Sequence, residues 1–491
     1  MNINNNTTNT KKEILVRIAR LMLERKLEEG VHFIPREMAP KNKQPIRCCI
    51  FHDREIIRMR TLARMGFSIE NYDEEKTLAT YAKEALEREK PTWPMLTVLH
   101  DACNACVRTH FMITNACQAC DARPCKMNCP RQAISIDTRA HIDEEKCVNC
   151  GRCLENCPYH AIIKIPVPCE ESCPVGAIKK DENGHETIDY HKCIFCGNCM
   201  RECPFGAMMD KGQLVDVINK IMLKKNKVVA LYAPSIASQF NANPLQLKQA
   251  LLLLGFDKVI EVAVGADICA KKEAGEFEER MARGDKMMTT SCCSSYVRAV
   301  RIHVPELIPC VSDTRSPMHY TAEIAKNEDK DCTTVFIGPC ISKRREAMDD
   351  DFVDYVLSAE EINAFLIAKE IDITKIEVPQ DLTSTSDTEN DASSLGRNFA
   401  RTGGVLEAVK ANLKDKSILR PTTINGLNKS GINTLKRFGL INAGKIPTPP
   451  DCPNLIEVMA CEGGCIAGPS VVKNIKESDP QLTKYVSFHN D

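Results

Sequence analysis

The sequence carries almost no net charge: 65 basic and 66 acidic residues leave −1 at pH 7 over 491 residues. No global field draws it to nucleic acid or to an anionic membrane, and neither partner is expected. Long apolar runs are missing too. The longest purely aliphatic stretch, ALLLL at 250–254, is far too short to span a bilayer, so membrane insertion is not expected. The opening residues, MNINNNTTNTKKE, are polar and lack the apolar segment of a signal peptide. These absences predict a cytoplasmic protein. Apolar residues make up 43% of the chain, ample for buried cores, and the length predicts about three domains.

Cysteine is what the sequence has in excess, with 27 residues. In a small secreted chain they would indicate disulfides. This chain is long, shows no export signal, and spaces many cysteines two or three residues apart, which favours metal. Residues 103–203 hold sixteen of them. Four CxxC pairs occur, Cys103/Cys106, Cys117/Cys120, Cys147/Cys150 and Cys193/Cys196. Four CxxxCP units complete the set, Cys125/Cys129, Cys153/Cys157, Cys169/Cys173 and Cys199/Cys203.

Two uninterrupted runs, CVNCGRCLENCP (147–158) and CIFCGNCMRECP (193–204), resemble those of bacterial ferredoxins. There, three thiolates of a run hold one [4Fe–4S] cubane and the fourth goes to a neighbouring cubane. CQACDARPCKMNCP (117–130) has a longer middle gap, and CEESCP (169–174) lacks its own CxxC, for which CNAC (103–106) is the candidate. Two nested modules follow. The inner one uses Cys117, Cys120, Cys125 with Cys157, and Cys147, Cys150, Cys153 with Cys129. The outer uses Cys103, Cys106, Cys169 with Cys203, and Cys193, Cys196, Cys199 with Cys173. A simpler alternative pairs the two clean runs directly and leaves eight cysteines for other clusters. Zinc ribbons also use CxxC pairs, but the repeated third cysteine and x3-C-P favour cubanes. Apolar segments after each run, AISI, AIIKI, GAIKK and GAMM, fit the short strands of such modules. Cubanes in series move single electrons.

After residue 210 the pattern changes. GQLVDVINKIMLKK and PLQLKQALLLLGF read as helices; KVVALYAP, KVIEVAVGAD, TTVFIGPC and LIEVMAC read as strands. Alternating helices and strands predict an α/β domain with parallel sheet, whose ligands gather beyond the strand C-termini. Cys340 and Cys461 fall there.

Five isolated cysteines remain in order: Cys292 and Cys293 in TSCC, on what reads as a first helical turn, Cys340 in GPCISK, and Cys461 and Cys465 in EVMACEGGC. With GAD (265–267), SP (316–317) and TGGVLEA (402–408), these resemble the signature segments of the [FeFe]-hydrogenase catalytic domain over roughly 215–475. The resemblance implies two lobes with mainly parallel sheets around an active-site cluster. It implies that Cys293, Cys340, Cys461 and Cys465 hold a cubane, with Cys465 bridging to a two-iron site carrying CO, cyanide and azadithiolate. Lys343 would hydrogen-bond a cyanide, and Met459 would pack against the two irons. Cys292 would be no ligand but a proton carrier, followed by Glu273, Glu276 and Ser312. Glu273 and Glu276 stand three apart and so share a helical face. The ordinary reading of that charge-rich KKEAGEFEER segment is a solvated face.

The chain departs from the family in three places. Ser294, Ser295 and Tyr296 stand where the family has its Pro and Trp after TSCC, Gly338 stands where it has a methionine, and no plant-type [2Fe–2S] spacing lies upstream. These features indicate a divergent branch.

The remaining cysteines read as structural: Cys48/Cys49, a second CC pair with no partner motif, and Cys269, Cys310, Cys332 and Cys452. His141, His185 and His191 fall in polar segments that read as surface turns. Residues 1–100 read as a helical, charged region with a docking or regulatory role. Residues 101–210 read as the α+β ferredoxin-like part, and 211–491 as the catalytic part. VPQDLTSTSDTENDASSLGRN (378–398) reads as a polar surface loop. The implied activity is reversible proton reduction, 2H⁺ + 2e⁻ ⇌ H₂. Its partners would be protons or H₂, a ferredoxin-like electron carrier and cluster maturation proteins. The alternatives are a non-catalytic iron–sulfur assembly protein and a hydrogen sensor.

Overall fold

The computed structural model describes residues 5–103, 106, 108–379 and 392–488. Residues 380–391, most of the polar segment expected as a surface loop, lie outside the described residues. Two parallel sheets frame the second half of the chain, in keeping with the α/β pattern of the sequence. One is four-stranded, in the order Lys258–Glu261, Val228–Tyr232, Thr333–Ile337, Tyr355–Leu357. Val228–Tyr232 is buried at every position, as a central parallel strand covered on both faces must be. The other is three-stranded, with Leu455–Met459 between Met288–Thr289 and Pro421–Asn425. The edge strand Pro421–Asn425 is mostly exposed and opens on proline, which has no N–H to give a further neighbour. In both sheets the cysteine segments leave from the C-terminal edge.

Two expected elements shift. The strand expected over KVIEVAVGAD ends at Glu261, and the helix Ala263–Arg283 begins at once. Its buried face, Ala266, Ala270, Ala274 and Phe277, is made largely of small residues at helical spacing. Gly265 lies so close to the helix Pro317–Glu328 that a Cβ would come within 2.3 Å of the Pro317 carbonyl oxygen. Close packing of that helix, not β-propensity, decides the segment. Cys292 and Cys293, in turn, precede the helix rather than form its first turn: Cys293 is the extended N-cap of Ser294–His303. Cys340 likewise caps Ile341–Met348.

In the first half, three antiparallel pairs mark the ferredoxin-like part: His110–Ile113 with Ile162–Ile165, Ile134–Ile136 with Ala140–Ile142, and Ile178–Lys180 with Glu186–Ile188. Ahead of them the helices Asn6–Leu23, Ile50–Arg64 and Leu78–Glu87 share one apolar core with the four-stranded sheet. Asn6–Leu23 packs on the helix Ala359–Ala368. Leu96–Val98 pairs antiparallel with Met208–Asp210, closing the cluster-bearing segment at its base. A fully buried charge network crosses the same seam. Arg64 and Arg344 each reach Asp210 at 2.7 Å, and Arg344 also meets Glu361 at 2.5 Å. Among the described residues no helix is long and apolar enough to cross a membrane.

Candidate metal centres and proton path

The CxxC loops repeat one local backbone. The residue before the second cysteine is left-handed in three of them, at Ala119, Asn149 and Phe195, with φ of 46°, 54° and 55°. Non-glycine residues rarely adopt that region, so the turn is held by its surroundings. It folds both cysteines of a pair toward one side.

Two cavities result in the inner part. One is lined by Cys129, Cys147, Cys150 and Cys153 beside Phe111, Ile134 and Ile142. The other is lined by Cys117, Cys120, Cys125 and Cys157 beside Ile113 and Ile136. A small apolar core of Phe111, Ile134, Ala140 and Ile162 separates this part from the rest. In the outer part, Cys103, Cys106, Cys169 and Cys203 lie within mutual electrostatic range. The same holds for Cys173, Cys193, Cys196 and Cys199. Burial drives Cys103, Cys106, Cys169, Cys193, Cys196 and Cys199 upward, Cys196 to about 12, and neighbouring sulfur charge adds to it. Crowded sulfurs of this kind are what an iron–sulfur core, supplying positive charge at their centre, would relieve. All the donors are soft sulfur, and the lining is apolar. That chemistry fits [4Fe–4S] and not a hard cation. Among the described residues no three His, Cys, Asp or Glu side chains close around a point that could hold a single metal ion.

The five isolated cysteines converge from both parallel sheets. Cys340 leaves the four-stranded sheet after Ile337; Cys292, Cys293, Cys461 and Cys465 leave the three-stranded one after Thr289 and Met459. Cys461 and Cys465 each feel both Cys340 and Cys293, and Cys292 feels Cys293 and Cys465. Backbone amides of Ser295, Tyr296 and Ala460 point at the Cys293 sulfur, a helix N-terminus offered to an anionic ligand. Gly464, at φ 90°, lets the CEGGC turn press against Arg401; a Cβ there would lie 2.6 Å from the Ala400 carbonyl. Met459 is buried in the apolar cluster against which Cys292 and Cys293 pack. The Lys343 ammonium stands near Cys340 and Cys292 and donates to Glu346 at 2.7 Å, which raises its pKa.

Glu273 is buried on the helix Ala263–Arg283, and its Oε1 accepts from the Ser291 N–H at 3.0 Å. Its other oxygen, Oε2, is buried with no hydrogen-bond partner. Burial raises its carboxyl to about 7. Desolvation, with the Glu273 carboxylate beside it, pushes the half-buried Cys292 well above the usual thiol range, and it stays protonated. One turn on, Glu276 accepts from Ser312 Oγ at 2.5 Å and from Thr314 Oγ1 at 3.2 Å. The next residue, Asp313, is open to solvent at its side chain and donates its N–H to Glu276 at 3.0 Å. The solvated face that was the plain reading of this segment is thus replaced by two carboxyls turned inward.

Two residues here escaped sequence reasoning. Arg280 donates to Glu276 at 2.8 Å and to the Pro309 and Val311 carbonyls, fixing the carboxylate and the Ser312 loop together. Its spacing four residues after Glu276 was the available signal. Glu457 is wholly buried, and its carboxyl is raised to about 7 by burial; it accepts the Gly403 and Leu406 N–H groups at 2.8 and 2.9 Å. It lies within electrostatic range of Cys292 and Cys465. An acidic residue inside an apolar strand, LIEVM, was the signal for it.

The family departures have local causes. Tyr296 is buried, its hydroxyl donating to Thr289 Oγ1 at 2.6 Å. At Gly338 a Cβ would strike the Phe336 ring at 2.5 Å, so Phe336 occupies the space a side chain there would need. The secondary cysteines divide. Cys269, Cys310, Cys332 and Cys452 are buried, whereas Cys48 is exposed. His141 and His191 are exposed. His185 does not sit on a free turn: it stacks on His100 with ring centroids 5.1 Å apart, at the start of a hairpin strand whose Glu186 is buried beside Cys103.

The outer part abuts the pocket of the five isolated cysteines. Cys196 is within electrostatic range of Cys461. A Cβ on Gly197 would lie 2.5 Å from Pro469, and Arg201 donates to the Ala467 carbonyl at 3.3 Å. Arg298, on the helix that Cys293 caps, donates to the Cys193 carbonyl at 2.6 Å.

Residues 226–469 match the family model described as iron only hydrogenase large subunit, C-terminal domain. Residues 117–167 match an LdpA Fe-S cluster-binding domain, and 186–209 a 4Fe-4S binding domain. The chain is 29% identical over 379 residues to Iron hydrogenase 1 of Clostridium pasteurianum, covering 67% of this chain and 64% of that protein. That is just under two thirds of the clostridial protein's length. It is 28% identical over 384 residues to the periplasmic [Fe] hydrogenase large subunit of Nitratidesulfovibrio vulgaris, covering 67% of this chain and 85% of that one. It is also 24% identical over 288 residues to a probable cytosolic Fe-S cluster assembly factor of Drosophila erecta, covering 48% of this chain and 59% of that protein.

Proposed function

We propose, from the premise that the chain is an [FeFe]-hydrogenase-like protein, that it catalyses 2H⁺ + 2e⁻ ⇌ H₂ in the cytoplasm, exchanging electrons with a ferredoxin-type carrier. The observation that carries this reading is the gathering of five half-buried thiols and Lys343 beyond the C-terminal edges of two parallel sheets. Cys293, Cys340, Cys461 and Cys465 would hold a cubane, and Cys465 would bridge it to a two-iron group with CO, cyanide and azadithiolate. When bound, that group supplies the centre at which protons and electrons join.

The protein's own part is to bind, enclose and deliver protons. Lys343 offers an ammonium donor to an anionic ligand, and Met459 keeps the pocket apolar. Cys292 holds its proton at Sγ at neutral pH and is within electrostatic range of Glu273. From Glu273 the path runs to Glu276, which Arg280 steadies, and leaves by Ser312. A general acid of this kind needs a pKa near the working pH, which Glu273 has at about 7.

The sixteen cysteines of 103–203, in the four quartets described, would hold four further cubanes. The order inner pair, outer pair, catalytic pocket makes a wire. We take 1–100, 101–210 and 211–491 as the helical, electron-relay and catalytic parts, with maturation proteins loading the last.

The match to an iron–sulfur assembly factor favours a second reading, in which the catalytic cubane forms but no two-iron group joins it. Anaerobic iron counting with infrared spectroscopy separates the two. Five cubanes give about twenty iron atoms before maturation. Bands of iron-bound CO and cyanide after maturation, with turnover from reduced methyl viologen, support the hydrogenase reading. Iron without those bands supports assembly. About twelve iron atoms would mean that only the two clean runs and the catalytic cubane fill.

A further inference from the structure

Apart from the metal centres, a group of nucleophilic side chains stands at the surface among the described residues. Cys49 is the N-cap of the fifteen-residue helix Ile50–Arg64; its backbone is extended, and its Sγ accepts the His52 N–H at 3.5 Å. Cys48 is exposed, with its Sγ 3.2 Å from His52 Nδ1 and 4.0 Å from the Cys49 sulfur. Two thiols and an imidazole thus meet within one turn. The approach is fixed from below. Asp53, buried, accepts the Ile46 N–H at 2.7 Å and pairs with the Arg47 guanidinium at 3.3 Å, so the chain entering the pair is clamped to the helix.

Cys49 differs from the enclosed cysteines. Burial raises the thiols of Cys106, Cys169 and Cys196, whereas the His52 amide lowers that of Cys49, helped by the Phe51 amide and the Cys48 side chain and opposed by desolvation and Asp53. The thiolate is the form that attacks peroxide oxygen. Cys49 can reach that form with solvent at hand, and its neighbour lies close enough to follow.

We propose that Cys48 and Cys49 form a surface dithiol that reacts with hydroperoxides, Cys49 attacking and Cys48 resolving. In the first step the Cys49 sulfur bonds to one peroxide oxygen and the O–O bond breaks. The sulfur loses two electrons and becomes sulfenic acid, and the departing alkoxide takes a proton from solvent to leave as alcohol. In the second step the Cys48 sulfur attacks the Cys49 sulfur and the S–O bond breaks. The Cys48 proton, taken up by His52, joins the departing hydroxide as water. Two thiols and one hydroperoxide thus give a disulfide, one alcohol and one water.

The test uses the anaerobic, iron-loaded full chain with one equivalent of tert-butyl hydroperoxide, quenched with iodoacetamide. Trypsin, cutting after Arg47 and Arg54, releases Cys48–Arg54 as one peptide. That peptide is expected to lose two hydrogens and escape alkylation at least tenfold faster than any other cysteine peptide is modified. In Cys48→Ser, dimedone should trap Cys49 as its sulfenic adduct, and in His52→Gln disulfide closure should slow about tenfold with the adduct still forming. If Cys48–Arg54 of the unaltered chain is still doubly alkylated when other cysteines have been oxidised, the proposal is overturned. A dimedone adduct on Cys48 in Cys49→Ser, formed as fast as the Cys49 adduct, would overturn the division of roles.

Discussion

The inner ferredoxin-like part and the catalytic pocket gather thiols in opposite ways. In the inner part eight cysteines between 117 and 157 line two cavities, each CxxC turned by its own left-handed residue. In the catalytic pocket the cysteines lie between 292 and 465 and meet only because two sheets end at the same place. Spacing specifies the first kind of site; topology specifies the second. A local site should survive damage to the rest of the chain, and a topological one should fail with its frame.

The largest test of that contrast is chemical. Cys292→Ala should lower hydrogen turnover by about two to four orders of magnitude, the scale of a lost general acid, with iron content unchanged. Gas chromatography and iron analysis of the same sample read both; lost iron would make Cys292 a ligand and Cys293 the carrier. Next comes the frame. Arg344→Met leaves Asp210 and Glu361 buried without that partner and should cost about 3–5 kcal/mol in a denaturant titration. Iron should leave the catalytic cubane first while the inner cubanes persist, which electron paramagnetic resonance can follow.

A pH series sharpens the comparison further. Glu273 and Glu457 both stand at about 7, against 4.5 in the open chain, because they are buried. Folding therefore favours their protonated forms. The stability each contributes is full below pH 4.5 and is lost as pH rises through about 7, about 3 kcal/mol per group. Glu273→Gln and Glu457→Gln should each flatten that loss, and wild-type hydrogen evolution should fall through the same pH range. The smallest effect belongs to the local sites. Cys157→Ala should remove about four iron atoms of about twenty and leave viologen-driven turnover within about twofold.

Much of this was legible in the chain. Periodicity gave Leu214–Leu223, Pro244–Leu254 and the buried strands Val228–Tyr232, Thr333–Ile337 and Leu455–Met459. The cavities of the inner part collect the two quartets that the crossed CxxC and CxxxCP spacing suggests, because ferredoxin loops are short-range objects. What stayed hidden was longer-range. Met288–Thr289, Tyr355–Leu357 and Pro421–Asn425 are too short or too exposed to carry a period. Glu457 stands out in the apolar strand LIEVM, but the TGG turn that closes over it lies 54 residues earlier, at Gly403. The buried pairing of Arg64 with Asp210 spans 146 residues, and no local pattern announces it. Cys48 and Cys49 read as structural; the helix beginning at Ile50 makes Cys49 its cap and leaves Cys48 exposed.

The strand pair that opens and closes the inner part sets His110 opposite Ile165. Its two chain ends therefore leave side by side, and it keeps its own small core. Such a unit is a cassette: a short bridge from 110 to 165 could delete it, or a foreign cubane pair could replace it, without moving the strands that anchor the catalytic cysteines. On the proposed reading, the reach of the electron relay is adjustable in whole modules. A lineage, or an experimenter, could then change the carrier that docks there while leaving the site of the isolated cysteines untouched.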